Sequence, residues 1–381
     1  MGRFPTEKAY GVTTNGTIRA LVKLGHEVTV CAIESTYAEE MPRGVRVVSY
    51  RETSLSKFLK NSAFANSTLI NVVFWKIYWK LLIRTNRNIL ESFLFDVVWI
   101  RDITMLNLRL PSKKFILKIH QKIKVHSLIS RLDQEEIEKV VLAPISKSLV
   151  RQLDSLKNTN YPVVYSPMGI DASKIASEKE IDVFLKRIDR VRSLSPEKIR
   201  VGYVGKFFPN GYSKGIEDLV LLTSLLRNSN ERFDVSISGG LPIEIQTILS
   251  FVNKLKLSSQ DIEIKPHMSH SEALSRMRYL DVIVLPRPYS SSYVGFPLKC
   301  IEAVASARIV VAAKCDIYED IFNNSYSPYW YTQGDPESLL AAINSALQDP
   351  NLRQKIGAGV QFARLFSWEL RTQRLMRLIS D

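Results

Sequence analysis

The sequence predicts an α/β protein built as two doubly wound domains, each a parallel sheet covered by helices on both faces. Three observations carry that expectation. Short apolar runs alternate with longer stretches of helical spacing along the whole chain. At 381 residues the chain suits two domains of about 150–200 residues better than one. The alternation is interrupted near Met168–Lys198, where the charged, helix-like stretch Glu178–Arg192 separates one set of apolar runs from the next.

Taken in order, the first strand candidate is Glu27–Ala32, which follows the turn at Leu24-Gly25-His26. Arg46–Ser49, Asp96–Arg101, Lys114–Ile119, Val140–Ala143 and Pro162–Tyr165 are further short runs rich in β-branched and other apolar residues. The second half repeats the pattern at Ile199–Gly205, Phe233–Ser238, Asp261–Lys265, Asp281–Leu285 and Ile309–Ala312. Between them, Thr13–Leu24, Ser271–Tyr279 and Glu337–Ala346 place apolar residues at helical spacing. Ser166-Pro167-Met168-Gly169 closes the first set, so the expected division is 1–168 and 169–365. Rossmann-like sheets of this kind bind ligands beyond the carboxyl ends of their strands, which here would line a cleft between the two domains.

Composition narrows the class of protein. Hydrophobic residues make up 45% and charged residues 24%, enough for two cores. The three cysteines, Cys31, Cys300 and Cys315, form no CxxC pair, which fits a reducing compartment and argues against a structural zinc site. No apolar run reaches the length of a membrane span, and the first residues lack the apolar core of a signal peptide. A cytoplasmic protein is the expectation. Net charge is +14, of which residues 1–170 supply +11 from 25 basic and 14 acidic side chains. A basic N-terminal half points to an anionic partner. A nucleic acid is not the expected one, because no recognition motif accompanies the charge.

Two segments of the second half carry candidate chemistry. Ile199–Gly205 is a buried-type strand running into a loop with Lys206 and Lys214, then Gly215 and a helix from Ile216. Amides at a helix start and two ammonium groups suit a diphosphate, because they neutralise charge developing on a leaving phosphate. The loop equally fits a lysine-bearing connection without a ligand, since its spacing is not the Walker spacing. The second segment leaves Leu285 through a Pro/Ser/Gly loop and enters a helix around Pro297, with Glu302 in its early turns. Amides near Gly295, Leu298 and Lys299 can face the same anion, and Glu302 can accept both hydroxyls of a ribose. The bland alternative for Glu302 is a solvated helix-start carboxylate favoured by the dipole.

Together these segments resemble the donor-binding half of retaining GT-B glycosyltransferases of the large family 4 group. The residues that carry the likeness are Gly202-Tyr203-Val204-Gly205-Lys206, Lys214-Gly215, Leu280-Asp281-Val282-Ile283-Val284-Leu285-Pro286 and Phe296-Pro297-Leu298-Lys299-Cys300-Ile301-Glu302. The resemblance implies that Lys206 and Lys214 hold the donor diphosphate and assist its departure. It implies that Gly205, Gly295, Leu298 and Lys299 complete the donor site, and that Glu302 binds the nucleotide ribose. The implied reaction moves a hexose-type sugar, with retention, from a UDP- or GDP-sugar to a glycan or lipid-linked acceptor in surface polysaccharide or glycolipid synthesis, with no metal or other cofactor. One position departs from the pattern: Val294 stands where the family usually has a Glu that touches the transferred sugar. A catalytically impaired, nucleotide-sugar-binding scaffold is the alternative that this departure raises.

The first half is similar to the acceptor side of the same family. Phe4-Pro5-Thr6-Glu7 through Gly11 looks like its first loop, where a glycine lets backbone approach the reacting sugar or phosphate. His120 ends the run Lys114–Ile119, where a related histidine contacts the donor sugar; a lone histidine after a strand is otherwise structural. Family members usually place an apolar strand ahead of the first loop, and here that strand is expected to be missing. Residues 366–381 match the family's last helix, which packs back on the N-terminal domain. His26 and His126 read as structural or surface residues, and His267 and His270 lie in the loop that borders the base in this fold, with no third ligand at metal spacing. Residues 74–87 offer a basic stripe of Lys76, Lys80, Arg84 and Arg87 flanked by Trp75 and Trp79. That suits peripheral contact with the inner face of an anionic membrane, or equally a core-facing helix with a solvated basic side.

Overall fold

The computed structural model describes residues 3–4, 9–34, 42–49, 84–86, 88, 94–100, 112–120, 138–154, 162–193, 197–208, 212–227, 233–287, 296–322 and 325–380. The chain forms two compact units, Met1–Pro167 with Thr372–Asp381, and Met168–Arg371.

In the first unit, β1 (Arg3–Phe4) precedes α1 (Ala9–Lys23), β2 (Val28–Glu34) and β3 (Val45–Ser49), and the three strands pair in parallel in the order β1-β2-β3. The strand expected to be missing is therefore present as a two-residue stub, with Arg3 opposite Ile33 and Phe4 opposite Glu34. The polar helix-side residues of α1 hid its start: the helix begins at Ala9, four residues ahead of the expected Thr13. A second parallel sheet contains β4 (Phe95–Ile100), β5 (Ser112–Ile119) and β6 (Val140–Pro144), followed by α2 (Lys147–Asp154). The expected strand Pro162–Tyr165 is present as one bridge, Leu142 to Val163, and its main chain runs along β6 through Leu142 N–H to Pro162 O, Val164 N–H to Leu142 O and Ser166 N–H to Pro144 O. The last helix of the chain supplies Leu375 and Ile379 to a core with Ile116, Val141 and Ala143.

The second unit opens with α3 (Glu178–Arg192), which starts at a capping box between Ser177 and Glu180. Then come β7 (Ile199–Val204), α4 (Glu217–Leu226), β8 (Phe233–Gly240), α5 (Pro242–Lys254), β9 (Ile262–Pro266), α6 (His270–Tyr279), β10 (Val282–Leu285), α7 (Leu298–Ala305), β11 (Ile309–Ala313), α8 (Asp316–Ile321), β12 (Tyr329–Tyr331), α9 (Pro336–Gln348) and α10 (Leu352–Arg364), and then α11 (Trp368–Ser380), which belongs to the first unit from Thr372 on. Six parallel strands pair in the order β12-β11-β10-β7-β8-β9. Strand β12 has no counterpart among the sequence expectations, because three aromatic residues in a row have no period to read. All four residues of β10 and all five of β11 are buried, as strands covered on both faces must be.

This order reverses direction between β7 and β10. Connections leave β7 on one side of the sheet and β10 on the other, so the carboxyl ends of those two strands open a crevice into which a ligand can enter. One buried carboxylate ties the elements around it. Asp281, 1% exposed, accepts hydrogen bonds from Arg187 Nε (2.7 Å) and Nη2 (2.9 Å) on α3. It also accepts from the Arg200 N–H of β7 at 2.9 Å. Without Asp281, Arg187 keeps only Glu197 and the Lys198 carbonyl, and the Arg200 N–H of β7 loses its acceptor. Asp281→Ala should lower the unfolding free energy by about 3 kcal/mol, read from urea denaturation; an unchanged midpoint would refute the clamp.

Candidate functional site

The crevice is built from backbone that comes unusually close. Gly205 follows β7 and donates its N–H to Ser238 O at 2.7 Å. A Cβ at Gly205 would overlap the Lys299 stem and the Tyr203 hydroxyl. At Gly239, φ is +115°, and a Cβ would sit 2.5 Å from Gly205 O and 2.8 Å from Gly205 C. A Cβ at Gly240 would overlap the Phe207 ring. Three glycines thus let the ends of β7 and β8 and the first turn of α7 share one small volume.

The loop beyond β7 is held at both ends. Tyr203 donates its hydroxyl to Lys206 O at 2.9 Å, and buried Glu244 of α5 accepts from Phe208 N–H at 3.2 Å and Leu241 N–H at 2.8 Å. Lys214 N–H closes the loop on Phe207 O at 3.0 Å. Ser213 donates to Glu217 at 2.7 Å and accepts from Gly215 N–H at 2.9 Å, which sets the entry to α4. Lys206 is left exposed, whereas Lys214 is half-buried. Burial, and then the cation of Arg287, push the Lys214 amine down to about 8, against a smaller opposing effect of Cys300. Arg287 itself is buried at the carboxyl end of β10.

The other wall is α7. Pro297 precedes the helix, and the first-turn amides at Leu298 and Lys299 have no acceptor within the helix itself. Glu302, one turn on, is 3% exposed. Its Oε1 lies 2.6 Å from His270 Nε2, and its Oε2 lies 3.5 Å from Lys299 Nζ. Burial alone would raise this carboxyl, but the Lys299 charge and the His270 bond outweigh it, and its pKa is lowered. Glu302 is an ionised acceptor in a dry place, not the solvated helix-start residue of the bland alternative.

Six residues expected at the site therefore sit around one crevice: Gly205, Lys206, Lys214, Leu298, Lys299 and Glu302. Gly295 and Val294 lie outside the described residues, as do 74–83 and Arg87 of the basic aromatic stretch and His126. His120 directly follows β5 in the first unit and is half-buried. Gly11 is corrected: it lies in the first turn of α1, buried, because that helix starts earlier than its sequence suggests. His26 is exposed in its turn, and His267 donates its N–H to Gly240 O at 2.8 Å. Among the described residues, no three His, Cys, Asp or Glu side chains gather as a metal site, and no helix is long and apolar enough to cross a membrane.

Sequence reading missed Gly239, Gly240, Glu244, Arg287 and the bond from His270. Three of these had a signal. A Gly-Gly pair directly after the run Phe233–Ser238 marks a strand end that another chain segment approaches closely. Ser269 with Glu272 three residues later is a capping-box pattern that makes His270 the first residue of a helix.

Comparisons with known proteins bear on the same residues. Residues 185–361 match the family model of glycosyl transferases group 1. No curated protein matches the chain. Among solved structures, sucrose-phosphate synthase from Thermosynechococcus elongatus aligns with a TM-score of 0.67 at 15% identity, covering 98% of this chain and 93% of that one. A structure described as trehalose-6-phosphate from E. coli bound with UDP-2-fluoro glucose aligns at 0.69 and 13% identity, covering 100% and 98%. WaaG, a glycosyltransferase involved in lipopolysaccharide biosynthesis, aligns at 0.62 and 10% identity, covering 100% and 98%. At such identities the likeness shows the fold, which is the GT-B fold.

The glycine packing yields a prediction. Gly239→Ala places a methyl group against backbone that cannot swing away, so the Gly205–Phe208 segment must shift. Gly205→Ala meets side-chain atoms only, the flexible Lys299 stem and the Tyr203 hydroxyl. Calorimetric titration with UDP and GDP should show the larger loss of affinity for Gly239→Ala; equal affinities in the two variants would mean that the close approach does not shape the site.

Proposed function

We propose that the chain is a glycosyltransferase that moves a hexose-type sugar from a UDP- or GDP-sugar to a glycan or lipid-linked acceptor, with retention at the anomeric carbon; the match of residues 185–361 to the model of glycosyl transferases group 1 and the GT-B fold support this reading. The observation that carries this reading is the convergence of Lys214, Arg287 and Lys299 on the crevice beside Gly205. A diphosphate brings the negative charge that such a cluster of cations accommodates, and Glu302 offers the acceptor that a ribose needs. The UDP-2-fluoro glucose named for one structural neighbour agrees with a nucleotide-sugar donor.

In the proposed reaction the bond from the anomeric carbon to the diphosphate oxygen breaks, and its electron pair leaves with the diphosphate. The acceptor hydroxyl oxygen bonds to that carbon, and its proton passes to the departing diphosphate oxygen. Lys206 and Lys214, with the first-turn amides of α7, stabilise the departing charge without a metal. His120 and Gly11 belong to the sugar and acceptor side on the sequence resemblance alone. The basic stretch 74–87 supports an anionic membrane surface as the place of the acceptor, and with it a role in surface polysaccharide or glycolipid synthesis. A second reading, a donor-binding scaffold without turnover, rests on Val294 in place of the family's Glu.

A panel of UDP- and GDP-sugars, scored by thermal shift and by release of the nucleoside diphosphate, separates the two. Release with acceptor supports transfer; tight binding without release supports the scaffold. Lys214→Ala should weaken nucleoside diphosphate binding by about tenfold or more, and an unchanged affinity would contradict its role. The pH dependence has a definite sign. Below about 8 the Lys214 amine is charged and attracts the diphosphate; as pH rises through about 8 the charge, and affinity with it, is lost. Bound diphosphate favours the charged amine, so binding just above that pH takes up protons. Titrations in buffers of different ionisation enthalpy measure the uptake, and none at that pH would count against the assignment.

A further inference from the structure

We propose that His270 is the positioning residue of the nucleoside site, holding the Glu302 carboxylate so that one free lone pair on each oxygen faces the vicinal diol of a ribose. The inference rests on the reading of Glu302 as the ribose acceptor, and it adds a residue, a geometry and a selectivity to that reading.

His270 Nε2 lies 2.6 Å from Glu302 Oε1, and Lys299 Nζ lies 3.5 Å from Oε2. An ionised carboxylate offers about four acceptor positions, two on each oxygen. His270 occupies one on Oε1 and Lys299 faces one on Oε2. One position remains on each oxygen, which is the pairing that two adjacent hydroxyls require. An ionised carboxylate can only accept, so His270 Nε2 carries the proton and donates it.

The rest of α6 is arranged to fix this one side chain. His270 is the first residue of the helix, and Ser269 ahead of it is locked by a capping box. Ser269 Oγ donates to Glu272 at 2.7 Å, Ser269 N–H donates to Glu272 at 2.8 Å, and Glu272 N–H donates back to Ser269 Oγ at 3.3 Å. Glu272, the nearest other acid on the helix, is thereby engaged with Ser269. The imidazole reaches from α6 to α7, two elements 32 residues apart in sequence, and joins them at the buried carboxylate. Side-chain freedom of a glutamate costs affinity when a ligand must order it. A carboxylate held in advance avoids that cost, and it rejects a sugar that lacks one hydroxyl because an acceptor position would stay empty in a dry site.

The test compares UDP and GDP with their 2′-deoxy counterparts, using the full chain and its His270→Ala and His270→Gln variants. The native protein should bind the preferred ribonucleotide at least about tenfold more tightly than its deoxy form. His270→Ala should bring that ratio to within about threefold and raise the donor KM about tenfold while kcat stays within about threefold. His270→Gln, which keeps an N–H donor of similar reach, should restore most of the ratio. A His270→Ala protein that melts like the native one and retains the native ratio overturns the proposal while leaving Glu302 as the ribose acceptor. A native protein that fails to discriminate removes the ribose reading itself, and the role of His270 falls with it.

Discussion

Everything proposed for the second unit depends on one adjacency, the pairing of β7 with β10. Connections run to opposite sides from these two strands, which makes their carboxyl ends the switch point of the sheet, where a ligand of a doubly wound fold binds. Asp281 holds that adjacency from beneath by joining α3, β7 and the start of β10 through one carboxylate. The Asp of the family-like pattern at Leu280–Pro286 is thus a structural clamp at the base of the strand, and the ligand-facing residues lie at its other end.

What stands above the clamp is a balance of charge under partial burial. Burial, and then the nearby cation of Arg287, push Lys214 toward neutrality, and Arg287 is itself buried. Across the crevice, Glu302 is as buried as any core residue yet stays ionised because Lys299 and His270 face its two oxygens. A polyanion entering beside Gly205 favours the charged form of Lys214, and a sugar diol beside Glu302 uses acceptor positions that are already oriented. Both effects place the work of binding in the folded protein before the ligand arrives.

Much of this was legible in the order of residues. The alternation of apolar runs and helical stretches located ten of the strands to within about two residues, because strands buried on both faces are short, apolar and bounded by turns. The motif residues Gly205, Lys206, Lys214, Leu298, Lys299 and Glu302 were legible for a related reason: each is a residue type that its local chemistry demands, a glycine at a strand end, lysines in a loop, an acid in a helix. Gly11 was misplaced because the polar residues Thr13, Thr14 and Asn15 conceal a helix that starts earlier. Strand β12 was missed because Tyr329–Tyr331 owes its place to pairing with β11 and not to any pattern of its own.

By itself, then, the sequence determined the class of fold, the break near Met168 and the identity of the groups that can meet an anion. Local chemistry suffices for those, since propensity and spacing act over a few residues. Only the tertiary structure decided which groups meet. It set Gly239 against Gly205, Arg287 beside Lys214, and His270 on Glu302, over separations of tens of residues. Those contacts follow from strand order, and strand order is fixed by long-range packing that no local pattern encodes.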